Sequence, residues 1–285
     1  MTDSPRTLRV DGTDVRIEGR GRDTVVMVHG WPDSLVLWDG LVAALAPRRR
    51  CVRFTLPGFD PAGPASAPGL DAMLAHLDAI VGAASPGAPV TLVIHDWGAF
   101  YGWQYAMRHP GRVARIVGVD VGDSGSAAHR RSLGARAAAG IVAYQLALAA
   151  AWRLPAALGD RVSRRMAAWM RAPAAPGTVR ARMNYPYAMA WSGGFRRARP
   201  VAPRCPVLYL WGTRKPFMFH SPEWVEALVA TPGSAAHGLR AGHWVMCGRS
   251  APEFERLVVD WLDAGDAGDA DRGGVASVSG APRAS

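Results

Sequence analysis

Residues 90–100 read Val-Thr-Leu-Val-Ile-His-Asp-Trp-Gly-Ala-Phe. Val90–Ile94 is a run of apolar and β-branched side chains without a polar face. The strand it predicts needs cover on both sides, as in the interior of a parallel sheet. Trp97-Gly98 ends that strand, and Phe100–Arg108 continues as helix. Strand, sharp turn and helix in direct succession constrain the chain to an alternating α/β architecture. The same turn lifts Asp96, at its apex, out of the sheet.

The other segments fit that architecture. Thr7–Val10 and Val15–Glu18 flank Asp11-Gly12 and predict a short hairpin. Thr24–Val28 is a second buried strand and ends at His29-Gly30. Leu35–Ala46 has apolar residues at helical spacing behind Ser34, a plausible N-cap. Cys51–Leu56 is a strand stopped by Pro57-Gly58, and 57–69 reads as loop. Leu70–Ala84 is helical and Val113–Val119 is the sixth strand. Residues 122–200 then hold no βαβ unit. Ala-rich helical stretches at 135–152 and 160–172 lead to Pro173, Pro176 and Tyr185-Pro186-Tyr187. Alternation returns with Val207–Trp211, Pro222–Ala230, Ala235–Leu239 and Pro252–Ala264.

The expected fold is therefore a mostly parallel eight-stranded sheet flanked by helices. Its core comprises residues 1–121 and 201–264, with a helical cap, 122–200, inserted after strand 6. Residues 265–285 carry almost no large apolar side chain and are expected to form a disordered tail. In such a sheet the site lies at the carboxyl ends of the strands, under the insertion.

Composition narrows the function classes. The formal charge is +10, from 33 basic against 23 acidic residues. The basic residues are scattered arginines, with Lys215 the only lysine, and no nucleic-acid-binding motif accompanies them. Nucleic acid is therefore not an expected partner. Three cysteines without CxxC spacing argue against a zinc site or a disulfide framework. Met1–Val10 lacks the apolar core of a signal peptide. The apolar run Ala137–Trp152 is short for a membrane span and reads as a buried helix. A cytoplasmic protein without membrane insertion, monomeric or homodimeric, is expected.

Three side chains carry the chemistry. Asp96 stands beside the amino end of a helix, whose dipole and free N–H groups keep a carboxylate ionised and oriented. Most chains with such a turn carry a hydroxyl there, and a carboxylate points to attack on saturated carbon. His243, in Ala241-Gly242-His243-Trp244, follows the last strand, and a loop there returns an imidazole to the turn. Of eight histidines it alone has the chain order of a base that follows its nucleophile. A carboxylate must orient it. The seventh strand leads to Trp211-Gly212-Thr213-Arg214-Lys215, with a lysine where an acid is common. Asp120, at the end of the sixth strand, is the choice, and Asp123 is the alternative. The backbone N–H groups of Trp31, in His29-Gly30-Trp31-Pro32, and of Trp97 are placed to meet charge on the Asp96 carboxyl.

These motifs resemble the aspartate-nucleophile branch of the α/β-hydrolase superfamily, which holds epoxide hydrolases and haloalkane dehalogenases. The resemblance covers roughly 24–264 and implies an α/β-hydrolase fold. It implies Asp96 as a nucleophile that forms an alkyl ester, His243 as the base that directs water onto it, and Asp120 as the partner of His243. It implies a small hydrophobic substrate, an epoxide or a haloalkane, and neither cofactor nor metal. Epoxide opening requires an acid for the departing oxygen, a role filled by paired cap tyrosines. Tyr144, Tyr185 and Tyr187 are the candidates, with Tyr144 and Tyr185 the preferred pair. Trp31, Trp97 and His29 complete the expected oxyanion and substrate site. Carbon–halogen hydrolysis is the alternative, although Trp31 stands where such enzymes usually place an Asn halide donor. A non-catalytic ligand-binding protein of the same fold is the third reading. Lys215, Ile94 in place of Gly, and the absence of Gly-x-Ser in Leu56-Pro57-Gly58-Phe59-Asp60 depart from the family pattern.

Overall fold

The computed structural model describes the backbone of residues 5–274 and the side chains through residue 266. Eight strands and nine α-helices are present among the described residues. The chain begins with β1 (Arg6–Val10), β2 (Thr13–Glu18), β3 (Thr24–Val28), α1 (Asp39–Leu45), β4 (Arg50–Phe54) and α2 (Leu70–Ala84). It continues with β5 (Val90–His95), α3 (Trp97–Arg108), β6 (Val113–Val119), α4 (Ala127–Ser132), α5 (Ala135–Arg153), α6 (Ala156–Met170) and α7 (Tyr185–Trp191). It closes with β7 (Val207–Gly212), α8 (Pro222–Val229), β8 (Ala235–Leu239) and α9 (Ala251–Gly274).

The strands form one sheet in the order β1-β2-β4-β3-β5-β6-β7-β8. The β1–β2 hairpin turns at Asp11-Gly12, both with positive φ, and pairs antiparallel with β4. All later neighbours are parallel. The chain passes from β3 outward to β4, then crosses back to β5 on the other side of β3. That reversal opens a crevice at the carboxyl ends of β3 and β5. It brings the loop after β3 against the turn after β5.

Every residue of β3 and of β5 is buried. Their alternate side chains feed two apolar clusters, one on each face. Val26, Val28, Leu92 and Ile94 pack with α2 and α3. Val25, Met27 and Val93 pack with α1 and α9. Ile94 is accommodated because α3 presents Gly102 to it. A Cβ on Gly102 would lie 2.4 Å from the Ile94 side chain.

Three expectations change. The helix expected at 35–46 divides into a 3-10 turn, Leu35–Trp38, and α1, and the Ser34 side chain makes no capping bond. Helix α5, expected to be buried, exposes Val142, Leu146 and Trp152 and buries chiefly Tyr144, Leu148, Ala149 and Ala151. One face of a helix in a thin layer packs, and the other meets solvent. By length and composition alone this helix could cross a membrane. Finally, the tail expected from 265 is helical to Gly274 as part of α9, and 275–285 lie outside the described residues. Charge pairs tie the described end of this helix to the core. Asp263 bridges Arg48 and Arg49, and Asp266 bridges Arg49 and Arg115, each at 2.6–2.7 Å.

Candidate active site

Asp96 adopts φ 52° and ψ −123° between β5 and α3. Such a conformation for a non-glycine residue costs on the order of 1–3 kcal/mol and persists only where its surroundings enforce it. Gly30 supplies part of that enforcement. A Cβ there would lie 2.3 Å from Asp96 Oδ1, so only glycine lets the β3 loop approach the carboxylate. The approach is productive, because the backbone N–H of Trp31 donates to Oδ1 at 2.7 Å. Burial works against ionisation of Asp96. His243 and the Trp31 N–H outweigh it and hold the carboxyl below its ordinary range.

His243 sits between two carboxylates. Its Nε2 is 3.4 Å from Asp96 Oδ2, and its Nδ1 makes a short bond to Asp120 Oδ2. Desolvation lowers the proton affinity of His243, but Asp120 and Asp96 together push its pKa up to about 9. The ring is packed by Phe219, Trp244 and His95 at centroid distances of 5.6, 4.8 and 4.5 Å. His95 is neutral, its pKa driven down to about 3 first by burial and then by His243.

Asp120 is fully buried at φ 65°. Its Oδ1 accepts the N–H of Gly212 at 2.8 Å and lies 2.7 Å from Lys215 Nζ. Desolvation opposes its charge, but Lys215 and His243 hold the carboxyl below its ordinary range. Asp123, the sequence alternative, is engaged elsewhere. It accepts from Ser126 Oγ, Ser221 N and Ser221 Oγ at 2.6–2.7 Å and ties the start of α4 to the start of α8.

Asp96 and His243 open into a cavity of about 780 Å³ lined also by Trp31, Tyr144, Tyr187 and Phe217. The Tyr187 ring stands edge-on to Trp31, Trp97 and Tyr144 at 5.9, 5.1 and 6.1 Å. Burial lifts the Tyr144 and Tyr187 hydroxyls well above their usual value, so both stay protonated.

Three expected site residues are not among those lining this cavity; the first, Trp97, packs its ring against Phe100, Tyr187 and Phe195. Tyr185 is fully buried against Phe59 and Tyr101, not in this cavity, because a side chain two places from Tyr187 on a short helix points to a different side. His29 has both ring nitrogens occupied within the loop. Nδ1 is 2.8 Å from the Gly30 carbonyl and Nε2 accepts from Leu56 N–H at 2.9 Å. It holds the β3 loop in place and does not reach the cavity.

Sequence reasoning passed over two further residues. Asn184 is fully buried and receives the Trp31 indole N–H at 2.7 Å while donating to Ser163 Oγ at 2.8 Å. Nothing in its sequence context marks it. Asp33, four residues after His29, accepts the Trp244 indole N–H at 2.7 Å, and burial lifts its carboxyl to about 7. Among the described residues, no group of three or more His, Cys, Asp or Glu side chains is arranged to hold a metal ion.

A carboxylate at a strained strand–helix turn, a buried acid–imidazole pair facing it, and a backbone N–H on its oxygen define an α/β-hydrolase type of site. A profile described as the alpha/beta hydrolase fold matches residues 23–168. The chain belongs to this family, and its curated relatives include proteins named haloalkane dehalogenase and epoxide hydrolase. The Mycobacterium tuberculosis protein named probable oxidoreductase EphD is 40% identical over 123 residues, 41% of this chain and 20% of that protein. A haloalkane dehalogenase of Mycolicibacterium smegmatis is 37% identical over 105 residues, 35% of this chain and 33% of that protein. These matches thus span no more than a third of either curated relative. Among solved structures, a mutant epoxide hydrolase from Bacillus megaterium with its diol product superposes with a TM-score of 0.68. It is 19% identical, and the match covers 90% of this chain and 100% of that one, a likeness of fold.

Proposed function

We propose that the protein opens an epoxide to a vicinal diol through a covalent alkyl ester on Asp96. The observation that carries this reading is one cavity holding the His243-paired carboxylate of Asp96 together with two protonated tyrosines, Tyr144 and Tyr187.

In the first step a carboxylate oxygen of Asp96 attacks a ring carbon. The carbon–oxygen bond breaks and its electron pair stays on the ring oxygen. That alkoxide is more basic than a phenolate, so it takes a proton from Tyr144 or Tyr187. The tyrosinate recovers a proton from the His243 imidazolium, which leaves His243 neutral. His243 then removes a proton from water, and the resulting hydroxide adds to the ester carbonyl carbon. Collapse expels the second alkoxide, which takes the new carboxyl proton and leaves as diol. Asp96 is again a carboxylate and His243 again protonated. The Trp31 N–H, already on Asp96 Oδ1, meets the charge that develops on the tetrahedral oxygen.

The epoxide reading is preferred to carbon–halogen cleavage on a specific contact. A halide needs convergent N–H donors, and the Trp31 indole N–H is committed to Asn184. Intact-protein mass spectrometry on His243→Ala tests the proposal. A mass increase equal to the epoxide, mapped to Asp96, is expected. An adduct with haloalkanes alone would establish the halide reaction instead, and no adduct with either class would overturn covalent catalysis.

A further inference from the structure

We propose that Lys215 is a positioning residue that neutralises Asp120 and so lowers the hold of His243 on its proton, leaving His243 a base at neutral pH once Asp96 is esterified. This rests on the roles given above to Asp96 and His243. Lys215 is the chain's only lysine, and its side chain is 7% exposed. Its ammonium lies 2.7 Å from Asp120 Oδ1 and 5.3 Å from the centre of the Phe219 ring. The same carboxylate holds His243 through its other oxygen. Asp120 is thus shared by the Lys215 ammonium and by an imidazole whose proton must come and go.

The chemistry needs that sharing. In the resting site two carboxylates face His243, and a protonated ring suits them. A base must be unprotonated, however, and the hydrolytic half of the reaction begins only after the imidazolium gives its proton away. Esterification removes the Asp96 charge. Asp120 remains, fully buried, and a lone buried carboxylate would keep the ring protonated. Lys215 cancels that charge at 2.7 Å without touching the imidazole. The remaining neighbours of His243 cannot replace it. His95 is neutral, Asp33 behind Trp244 is acidic, and Phe219 and Trp244 carry no charge. Arg214 and Arg240 line the cavity only from its exposed rim.

Two variants test this in the full chain. Lys215→Met removes the charge and keeps the bulk; Lys215→Arg restores the charge. Nuclear magnetic resonance titration of the His243 ring is expected to show a midpoint at least about one pH unit higher in Lys215→Met, a tenfold change in protonation ratio, and near wild type in Lys215→Arg. With an epoxide, ester formation on Asp96 should proceed at the wild-type rate in Lys215→Met. The pH midpoint of ester hydrolysis should move up by about one unit, so that hydrolysis is slower at and below pH 7 and recovers as pH rises. An unmoved titration overturns the inference, as does a loss equal at every pH. If Lys215→Met does not fold, Lys215→Gln carries the same titration. Absence of any adduct in His243→Ala would remove the proposed function, whereas the ring titration still decides the part played by Lys215.

Discussion

The carboxyl ends of the central strands and the helices between β6 and β7 hold their shares of the site by different means. At the strand ends, position follows from backbone. Asp96 and Asp120 stand at positive φ, Asp96 receives a main-chain N–H from Trp31, and Asp120 receives one from Gly212. Among the inserted helices, position follows from side chains. Tyr144 and Tyr187 are set by ring packing, and the insert meets the core at the Trp31–Asn184–Ser163 chain of hydrogen bonds. Helices α5 and α6 leave Leu146, Trp152, Leu158 and Trp169 exposed. A backbone-fixed end therefore carries the carboxylate proposed to react, and a layer with more exposed apolar side chains carries the tyrosines proposed to meet the substrate. Substitutions in the first region should abolish the reaction, and those in the second should tune it.

The largest effect is expected at Gly30. Gly30→Ala places a Cβ 2.3 Å from Asp96 Oδ1 and must displace the carboxylate or the loop. Turnover should fall by roughly a thousandfold or more, since misplacement by about 1 Å alone costs on the order of a hundredfold. A steady-state rate near wild type would break the comparison. The tyrosines come next. Tyr144→Phe and Tyr187→Phe should each slow epoxide opening by roughly ten- to a hundredfold, within the usual range for a general acid. Tyr185→Phe should leave it within about twofold, because Tyr185 is outside the cavity. Adduct formation under single turnover separates these variants, and equal losses at all three positions would contradict the division between Tyr187 and Tyr185.

Asn184 tests the seam between the regions. Asn184→Ala leaves the buried Trp31 indole N–H without its acceptor, at a cost of about 1–3 kcal/mol, readable by denaturant unfolding. Activity should fall less than in the tyrosine variants. The smallest effect concerns pH. His243 is raised from an ordinary value of 6.5 to about 9 in the folded protein. Its pairing therefore stabilises the fold fully below pH 6.5, and that contribution is lost as pH rises through 9. Melting temperature should decline across this window, and His243→Gln should flatten the decline; an unchanged slope would contradict the resting ion pair.

Legibility followed the same division. Val90–Ile94 and Thr24–Val28 are apolar on both faces, which only the middle of a covered sheet satisfies, and both strands run where they were expected. The turn at Asp96 was visible because a buried strand passes directly into a helix. His243 and Asp120 were identifiable from their places at strand ends, and the structure brings both to Asp96's side of the sheet. The insert was less legible. Tyr185 and Tyr187 are indistinguishable in sequence, two residues apart around a proline, and helix rotation alone separates them. The continuation of α9 past Ala264 was not legible because its described anchor, Asp266, is a charged side chain, which composition reads as solvated.

The amino-acid sequence by itself determined the α/β alternation, the strand–turn–helix at Asp96 and the order of carboxylate, acid and imidazole. These depend on local periodicity and on residues next to one another in the chain. Only the tertiary structure decided that Lys215 shares Asp120 with His243, that Asn184 occupies the Trp31 indole, and that Tyr187 rather than Tyr185 faces the cavity. Those hydrogen bonds and ion pairs join residues between 95 and 153 positions apart, and their geometry exists only once the sheet and its insert have packed.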